Sequence, residues 1–109
     1  MEILICDTPE EGAQVAAKFV KMILASHSKP VLGLATGGTP LRLYHELIRM
    51  YEANELSFKD FTSFNLDEYV GLPPEDERSY HHYMRSNLFD QVDMDPVRIH
   101  LPNGCADDL

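Results

Sequence analysis

The sequence predicts an α/β fold with a mostly parallel sheet and helical crossovers. Short apolar runs, typical of buried strands, alternate with longer segments of helical periodicity in the order β-α-β-α-β-α-β. The run "VLGLA" at 31–35 is continuously apolar, as expected for a strand that is covered on both faces of a parallel sheet. We therefore expect a Rossmann-like, three-layer arrangement whose ligands bind beyond the carboxyl ends of the strands.

The first predicted strand is "EILIC" at 2–6, and a helix follows it. Thr8 suits the N-cap, Pro9 the first helical position and Glu11 the third, which together form a capping box. The periodicity also predicts which face of this helix is buried. The residues expected to face the core are Val15, Phe19, Met22 and Ile23, opposite Gln14, Lys18 and Lys21.

A second helix is expected to begin with Thr39 as N-cap and Pro40 at the first helical position. Its inward face comprises Leu41, Tyr44, Ile48 and Tyr51. The third strand is predicted at 61–66, and a polar, Pro-rich loop follows at 67–78. Ser79 then caps a third helix containing Tyr80, Tyr83, Met84 and Leu88, and "RIHL" at 98–101 is the fourth strand.

The last residues predict that the domain is incomplete. Asn103-Gly104 is typical of a turn, and 106–109 has the composition of the first turn of a further helix. A four-stranded piece of a parallel sheet would expose apolar surface where further strands should pack. We therefore expect marginal stability or self-association through the exposed sheet edge, unless a neighbouring chain covers that surface.

The charge balance excludes some partners. The chain has 18 acidic against 9 basic residues, a net charge of −9, and no basic cluster, so neither nucleic acid nor an anionic membrane is an expected partner. Cys6 and Cys105 have no metal-like spacing, and no signal peptide precedes the first strand, so a reducing, cytoplasmic location is expected.

A glycine loop follows the second predicted strand. Thr36, Gly37, Gly38 and Thr39 stand where that strand becomes a helix, so unpaired N–H groups, the helix dipole and two hydroxyls can hold a phosphate. The loop lacks the lysine of a Walker A motif and the spacing of a dinucleotide-binding motif. The alternative is a glycine turn with a capping threonine. Arg42, one turn later, is interpreted as a solvated surface charge.

Asp67 and Glu68 follow the third predicted strand. Parallel strands place their carboxyl ends at one edge of the sheet, so a phosphate on the glycine loop and a carboxylate of this pair can meet across one cleft. The alternative for such a pair is a turn or a helix cap. The presence of the glycine loop at the same edge favours the functional interpretation.

Three motifs carry a resemblance to a known family. "GLATGGTP", "FNLDEYVGLP" and "SYHHYM" together resemble the N-terminal portion of the glucosamine-6-phosphate deaminases, also called glucosamine-6-phosphate isomerases. The likeness extends over 1–109, which would then be the N-terminal part of a single sugar-phosphate isomerase/deaminase domain. It implies aldose–ketose isomerisation with loss of the 2-amino group, producing fructose 6-phosphate and ammonia with no metal or organic cofactor.

The resemblance also implies roles for individual residues. Asp67 would be the catalytic base that moves a proton between C2 and C1 of the ring-opened sugar. The loop from Thr36 to Thr39 would hold the 6-phosphate. Glu68 and Tyr80 also match family positions near the substrate. The alternatives are that Glu68 is a structural acceptor and that Tyr80 packs or forms a lid.

Other functions remain open at this point. The family's second signature, with Asp-Gly-His and Asn-Glu-Pro, is absent, so the 109 residues alone are expected to be nearly inactive. One alternative is a 6-phosphogluconolactonase-like hydrolase, although Tyr69 stands where those enzymes usually have Arg. Another is a non-catalytic sugar-phosphate-binding module.

No metal site is expected, since His81 and His82 point about 100° apart on a helix.

Overall fold

The computed structural model describes residues 3–107. Three α-helices and three strands follow one another: α1 (Pro9–Ser26), β1 (Val31–Leu34), α2 (Leu41–Glu52), β2 (Thr62–Asn65), α3 (Tyr80–Asn87) and β3 (Ile99–His100). Two short 3-10 turns, Phe89–Gln91 and Pro96–Arg98, lie between α3 and β3. The strands form one parallel sheet in the order β1-β2-β3. The predicted parallel α/β class is confirmed.

Local capping fixes the starts of two helices as predicted. The Thr8 hydroxyl accepts a hydrogen bond from the Glu11 N–H at 3.1 Å. The other half of the predicted capping box is displaced by one residue, since the Glu11 carboxylate accepts from the Asp7 N–H at 3.2 Å and not from the N–H of Thr8. Ser79 caps α3 in the same way, accepting from the His82 N–H at 3.0 Å. Helix α2 differs from the prediction. It begins at Leu41 with Pro40 in the N-cap position, and no side chain caps it, so the predicted capping role of Thr39 is wrong.

The buried face of α1 also differs from the prediction. Ala13 and Ala17 are its buried residues, and Val20 and Leu24 pack against the core on the same side. Phe19 and Met22 lie on the other side and are 38% and 55% exposed. The physical reason is that α1 packs against α2, and alanine side chains permit the closer approach of two helices.

The strand predicted at 2–6 is wrong over its described part, residues 3–6. These residues have no strand conformation, and Ile3 and Ile5 are exposed by 76% and 94%. A strand is stabilised by hydrogen bonds to a neighbouring strand, and the described sheet contains only β1, β2 and β3. Glu2 lies outside the described residues.

The remaining boundaries agree with the sequence within a few residues, with two differences at the end of the chain. The predicted strand at 98–101 is reduced to the two residues of β3. The helix predicted at 106–109 is not formed at Ala106 and Asp107, and the other two positions lie outside the described residues.

The core lies between one face of the sheet and the helices α2 and α3. Its largest fully buried side chains include Tyr44 and Leu47 of α2, Met84 of α3, and Phe58 and Phe61 of the segment that leads into β2. The two phenylalanine rings pack edge to face with centroids 5.4 Å apart. Burying side chains of this size supplies the main stabilisation of the fold, roughly 1.5–3 kcal/mol each.

The opposite face of the sheet is open to solvent. Val31 is 56% exposed and Phe64 is 43% exposed, and His100 stacks on the Phe64 ring at 4.6 Å. The prediction that residues 31–35 are covered on both faces is therefore not met by residues 3–107. An uncovered second face is what an incomplete α/β domain predicts. None of the helices described is long and apolar enough to cross a membrane.

Candidate functional site

The sheet places the two predicted site segments together at the carboxyl ends of its strands. Leu34, the last residue of β1, is paired with Asn65, the last residue of β2, and the two strands are parallel. The Asn65 amide also donates to the Leu34 carbonyl oxygen at 2.9 Å. The glycine loop and the Asp67-Glu68 pair therefore leave neighbouring strand ends in the same direction.

The backbone of the glycine loop is sterically open. Gly37 has a φ of +104°, a conformation that residues with a Cβ rarely adopt. A Cβ placed on Gly37 or Gly38 would meet no heavy atom within 4 Å. Glycine at 37 is thus required by the backbone conformation, and the space beside both glycines is available to a ligand.

Two tyrosine hydroxyls donate to backbone carbonyl oxygens, one in this loop and one in the residue just before it. Tyr44 of α2 donates to the Ala35 carbonyl oxygen, and Tyr83 of α3 donates to the Gly37 carbonyl oxygen. Sequence reasoning assigned both tyrosines to packing only. The available signal was a hydroxyl-bearing aromatic residue at a core position, because a buried tyrosine hydroxyl usually has a hydrogen-bond partner.

Asp67 is exposed two residues beyond the end of β2. It belongs to the segment that leaves the carboxyl end of β2, next to the strand end from which the glycine loop leaves. The sequence placed it there from the strand pattern alone.

Glu68 has a different environment from its neighbour. Its side chain is completely buried and accepts hydrogen bonds from the N–H groups of Tyr69 (2.8 Å), Tyr80 (2.9 Å) and His81 (3.0 Å), and from the His81 ring at 2.6 Å. Burial by itself raises the pKa of this carboxyl, but these hydrogen bonds outweigh burial and hold the pKa below its usual value. The Glu68 carboxylate accepts hydrogen bonds from the first N–H groups of α3, so it has the structural-acceptor role that was the alternative.

Tyr80 stands at the first position of α3, half-buried. Its ring lies against the ring of Tyr69, with centroids 4.8 Å apart and a tilt of 39°. Because Glu68 binds the Tyr80 N–H, the same carboxylate that starts α3 also fixes this aromatic pair beside Asp67.

The turn at Gly104 closes against the loop that follows Asp67. The Gly71 N–H donates to the Gly104 carbonyl oxygen at 2.8 Å, and a Cβ on Gly104 would lie 2.1 Å from the Tyr69 carbonyl oxygen. No larger residue fits there without a shift of the backbone. The sequence marked Gly104 only as a turn, since this contact joins segments that are distant along the chain.

The described part of the chain contains no group of three or more His, Cys, Asp or Glu residues that could hold a metal ion. His81 is bound to Glu68, and His82 lies 3.1 Å from the Ser86 hydroxyl. The two adjacent histidines have different partners.

Comparison with known proteins identifies the family, although no family model matches the chain. The chain is 46% identical over all 109 residues to glucosamine-6-phosphate deaminase 1 of Bacillus subtilis and 47% identical over all 109 to that of Oceanobacillus iheyensis, covering 45% and 44% of their lengths. A solved monomeric glucosamine-6-phosphate deaminase is similar over 99% of this chain and 45% of its own, with a TM-score of 0.95 and 45% identity. The chain belongs to the glucosamine-6-phosphate deaminase family.

The chain spans about 45% of the length of these glucosamine-6-phosphate deaminases. A 6-phosphogluconolactonase of Thermotoga maritima also shares the fold over 94% of the chain, with a TM-score of 0.73 but only 16% identity. That second likeness is one of fold alone, so it does not favour the lactonase alternative.

Proposed function

We propose that this chain supplies the phosphate-binding loop and the proton-transferring carboxylate of a glucosamine-6-phosphate deaminase. The observation that carries the proposal is the β1–β2 register, which brings an open glycine loop and the exposed Asp67 to one edge of the sheet. The names of its relatives agree with this assignment. The reaction converts glucosamine 6-phosphate and water to fructose 6-phosphate and ammonia.

The loop from Thr36 to Thr39 holds the 6-phosphate in this proposal. Backbone N–H groups of the loop and its two threonine hydroxyls are neutral donors, and the dipole of α2, which begins at Leu41 just after the loop, favours an anion there. A local device of this kind is needed because the net charge of −9 opposes an anionic substrate. Binding at this loop fixes the distance from the sugar carbons to Asp67.

Asp67 acts as the base. Its carboxylate takes the proton from C2 of the ring-opened amino sugar, and the resulting planar intermediate receives a proton at C1. The nitrogen-bearing carbon is then an imine, and water replaces the nitrogen to release ammonia. A carboxylate suits both proton transfers because it can accept a proton and return it on one face of the plane.

In this proposal the substrate is a small sugar phosphate and the protein is cytoplasmic. The reaction requires no metal or organic cofactor. Glu68 and Tyr80 support the site: Glu68 fixes the start of α3, and Tyr80 with Tyr69 provides an aromatic wall beside Asp67. The 109 residues alone bind the phosphate group and turn over little or no substrate, because the family's second signature is not among them.

Binding is tested by an NMR titration of the 109-residue chain with glucosamine 6-phosphate. The expected result is a saturable shift of the amide resonances at 36–39, because these N–H groups receive the phosphate oxygens. Glucosamine without phosphate is the matched ligand control and should leave those resonances unchanged. Gly12, in α1, is an internal reference. Shifts spread over the surface, with none at 36–39, would contradict the proposed function.

We also propose that the chain self-associates through its exposed sheet edge. Strand β1 is at the edge of the described sheet, and the open face beside it contains Val31 and Phe64. Unpaired strand edges and contiguous apolar surface both favour pairing with another chain.

Sedimentation of wild type and Val31→Lys measures this association. We expect a concentration-dependent increase in mass for wild type that the lysine reduces several-fold, because a charge on an edge strand opposes pairing. Val97→Lys is the control, since Val97 is 78% exposed but lies in a 3-10 turn outside the sheet. A monomeric wild-type chain at high concentration would refute the proposal.

A further inference from the structure

Side chains of two helices bind one carbonyl group of the glycine loop and the carbonyl group of the residue just before it. Tyr44 of α2 binds the carbonyl of Ala35, and Tyr83 of α3 binds that of Gly37. The two rings pack against each other with centroids 6.5 Å apart at 70°. Tyr44 is only 1% exposed and belongs to the core. The backbone is thus connected to the helices at Ala35, just before the loop, and at Gly37 within it.

The direction of these carbonyls determines the direction of the amides that follow. Every described peptide bond is trans, so the C=O and N–H groups of one peptide unit point in opposite directions. The Thr36 N–H therefore points away from the Tyr44 hydroxyl, and the Gly38 N–H points away from the Tyr83 hydroxyl. Both amides are turned away from the tyrosine pair.

We propose that Tyr83 and Tyr44 are positioning residues that set the loop amides in the orientation that receives phosphate. The ligand in this inference rests on the proposed function, whereas the orientation of the loop does not. Without the Tyr83 hydroxyl, the peptide unit between Gly37 and Gly38 can rotate, because glycine has the widest choice of backbone conformations. Without the Tyr44 hydroxyl, the preceding unit between Ala35 and Thr36 loses its anchor. Phosphate binding must then restrict this motion and is weakened.

The chemistry of the two hydroxyls suits a permanent anchor. Burial, together with the neighbouring Tyr83, raises the pKa of Tyr44, and burial raises the pKa of Tyr83. Both groups therefore stay protonated and able to donate across the neutral pH range. Phenylalanine would preserve the ring packing and remove only the hydrogen bond, which makes it the informative replacement.

Tyr83→Phe is compared with Tyr51→Phe in the 109-residue chain. Tyr51 is also half-buried against the core but contributes no hydrogen bond to the loop. Without ligand, Tyr83→Phe should shift the Gly38 amide resonance and speed hydrogen exchange at 36–39, while the amides of α2 and α3 stay as in wild type. With inorganic phosphate as the probe, the dissociation constant should rise by about 3- to 10-fold, as expected for the loss of one hydrogen bond.

The possible outcomes separate this inference from the proposed function. The inference is overturned if amide hydrogen exchange at 36–39 is unchanged in Tyr83→Phe. It is also overturned if exchange is faster but the phosphate affinity is unchanged, or if Tyr51→Phe has the same effect as Tyr83→Phe. If wild type does not bind phosphate at 36–39, the proposed function fails, and the ligand-free exchange data decide the anchoring role by themselves. Tyr44→Phe is the second variant, expected to act on the Thr36 amide.

Discussion

Replacing Asp67 by Asn is expected to lower kcat by about 10²- to 10⁴-fold, the range typical for loss of a general base. The experiment needs a complete enzyme, which a chimera supplies: residues 1–109 replace the aligned region of the Bacillus subtilis relative, to which they are 46% identical. Asparagine has the size of aspartate but cannot take the C2 proton. The loop proposed to hold the 6-phosphate is unchanged in this variant, so KM should change much less than kcat.

The environment of Asp67 allows a loss of activity to be separated from a loss of folding. Asp67 is exposed beyond the end of β2 and belongs to no core contact, so the amide should fold like the carboxylate. Asp60→Asn is the matched control, since it is the same chemical change at an exposed residue that precedes β2, at the opposite end of the strand from Asp67. If the Asp67→Asn chimera keeps a kcat near that of wild type, as the Asp60→Asn chimera should, the base is another residue.

Local chemistry was sufficient to predict the parts of the fold that depend on neighbours in sequence. The Thr8 and Ser79 caps need partners only three residues away, and both form as predicted. Strand β1 lies within the apolar run at 31–35, and β2 lies within the strand predicted at 61–66. The parallel order of the strands then follows from the intervening helices.

The predictions that failed depend on tertiary partners. Helix α1 has apolar residues on two sides, and only its packing against α2 decides that Ala17 is buried while Met22 is exposed. The strand predicted at 2–6 had the right composition over its described residues, but no strand lies beside them in the described sheet. Composition indicates what a segment can form, and a neighbour decides whether it does.

The candidate site divides in the same way. The glycine loop and Asp67 could be placed from sequence because both directly follow strands of one sheet. The contact of Tyr83 with Gly37 spans 46 residues, and that of Glu68 with His81 spans 13. No periodicity connects positions at such separations, so the residues that support the site became visible only in three dimensions.

Replacing Glu68 by Gln is expected to destabilise the chain by about 2–4 kcal/mol, the range for breaking a buried, charged hydrogen-bond network. Three of the four hydrogen bonds to Glu68 come from backbone N–H groups, two of them at the start of α3. The glutamine amide has one acceptor oxygen and turns an N–H₂ donor towards these donors. It also loses the favourable interaction of an anion with the helix N-terminus.

The pH dependence of stability provides a second readout with a definite sign. The folded-state pKa of Glu68 lies below its usual value of 4.5, so its stabilising contribution is complete above the pKa of the unfolded chain. The contribution is lost as pH falls through the folded-state pKa. Urea denaturation of wild type and Glu68→Gln should therefore show a large difference near neutral pH that shrinks below about pH 4.5.

Glu75→Gln is the control for this experiment, because Glu75 is an exposed carboxylate of the same loop. Its unfolding midpoint should match wild type at every pH. Glu68 fixes both the start of α3 and the Tyr69–Tyr80 pair. Glu68→Gln in the chimera should therefore also reduce activity, because the aromatic pair beside Asp67 would be misplaced. Equal stability of Glu68→Gln and wild type at neutral pH would mean that the buried carboxylate is not the anchor of α3, and the start of that helix would then depend on the Ser79 cap alone.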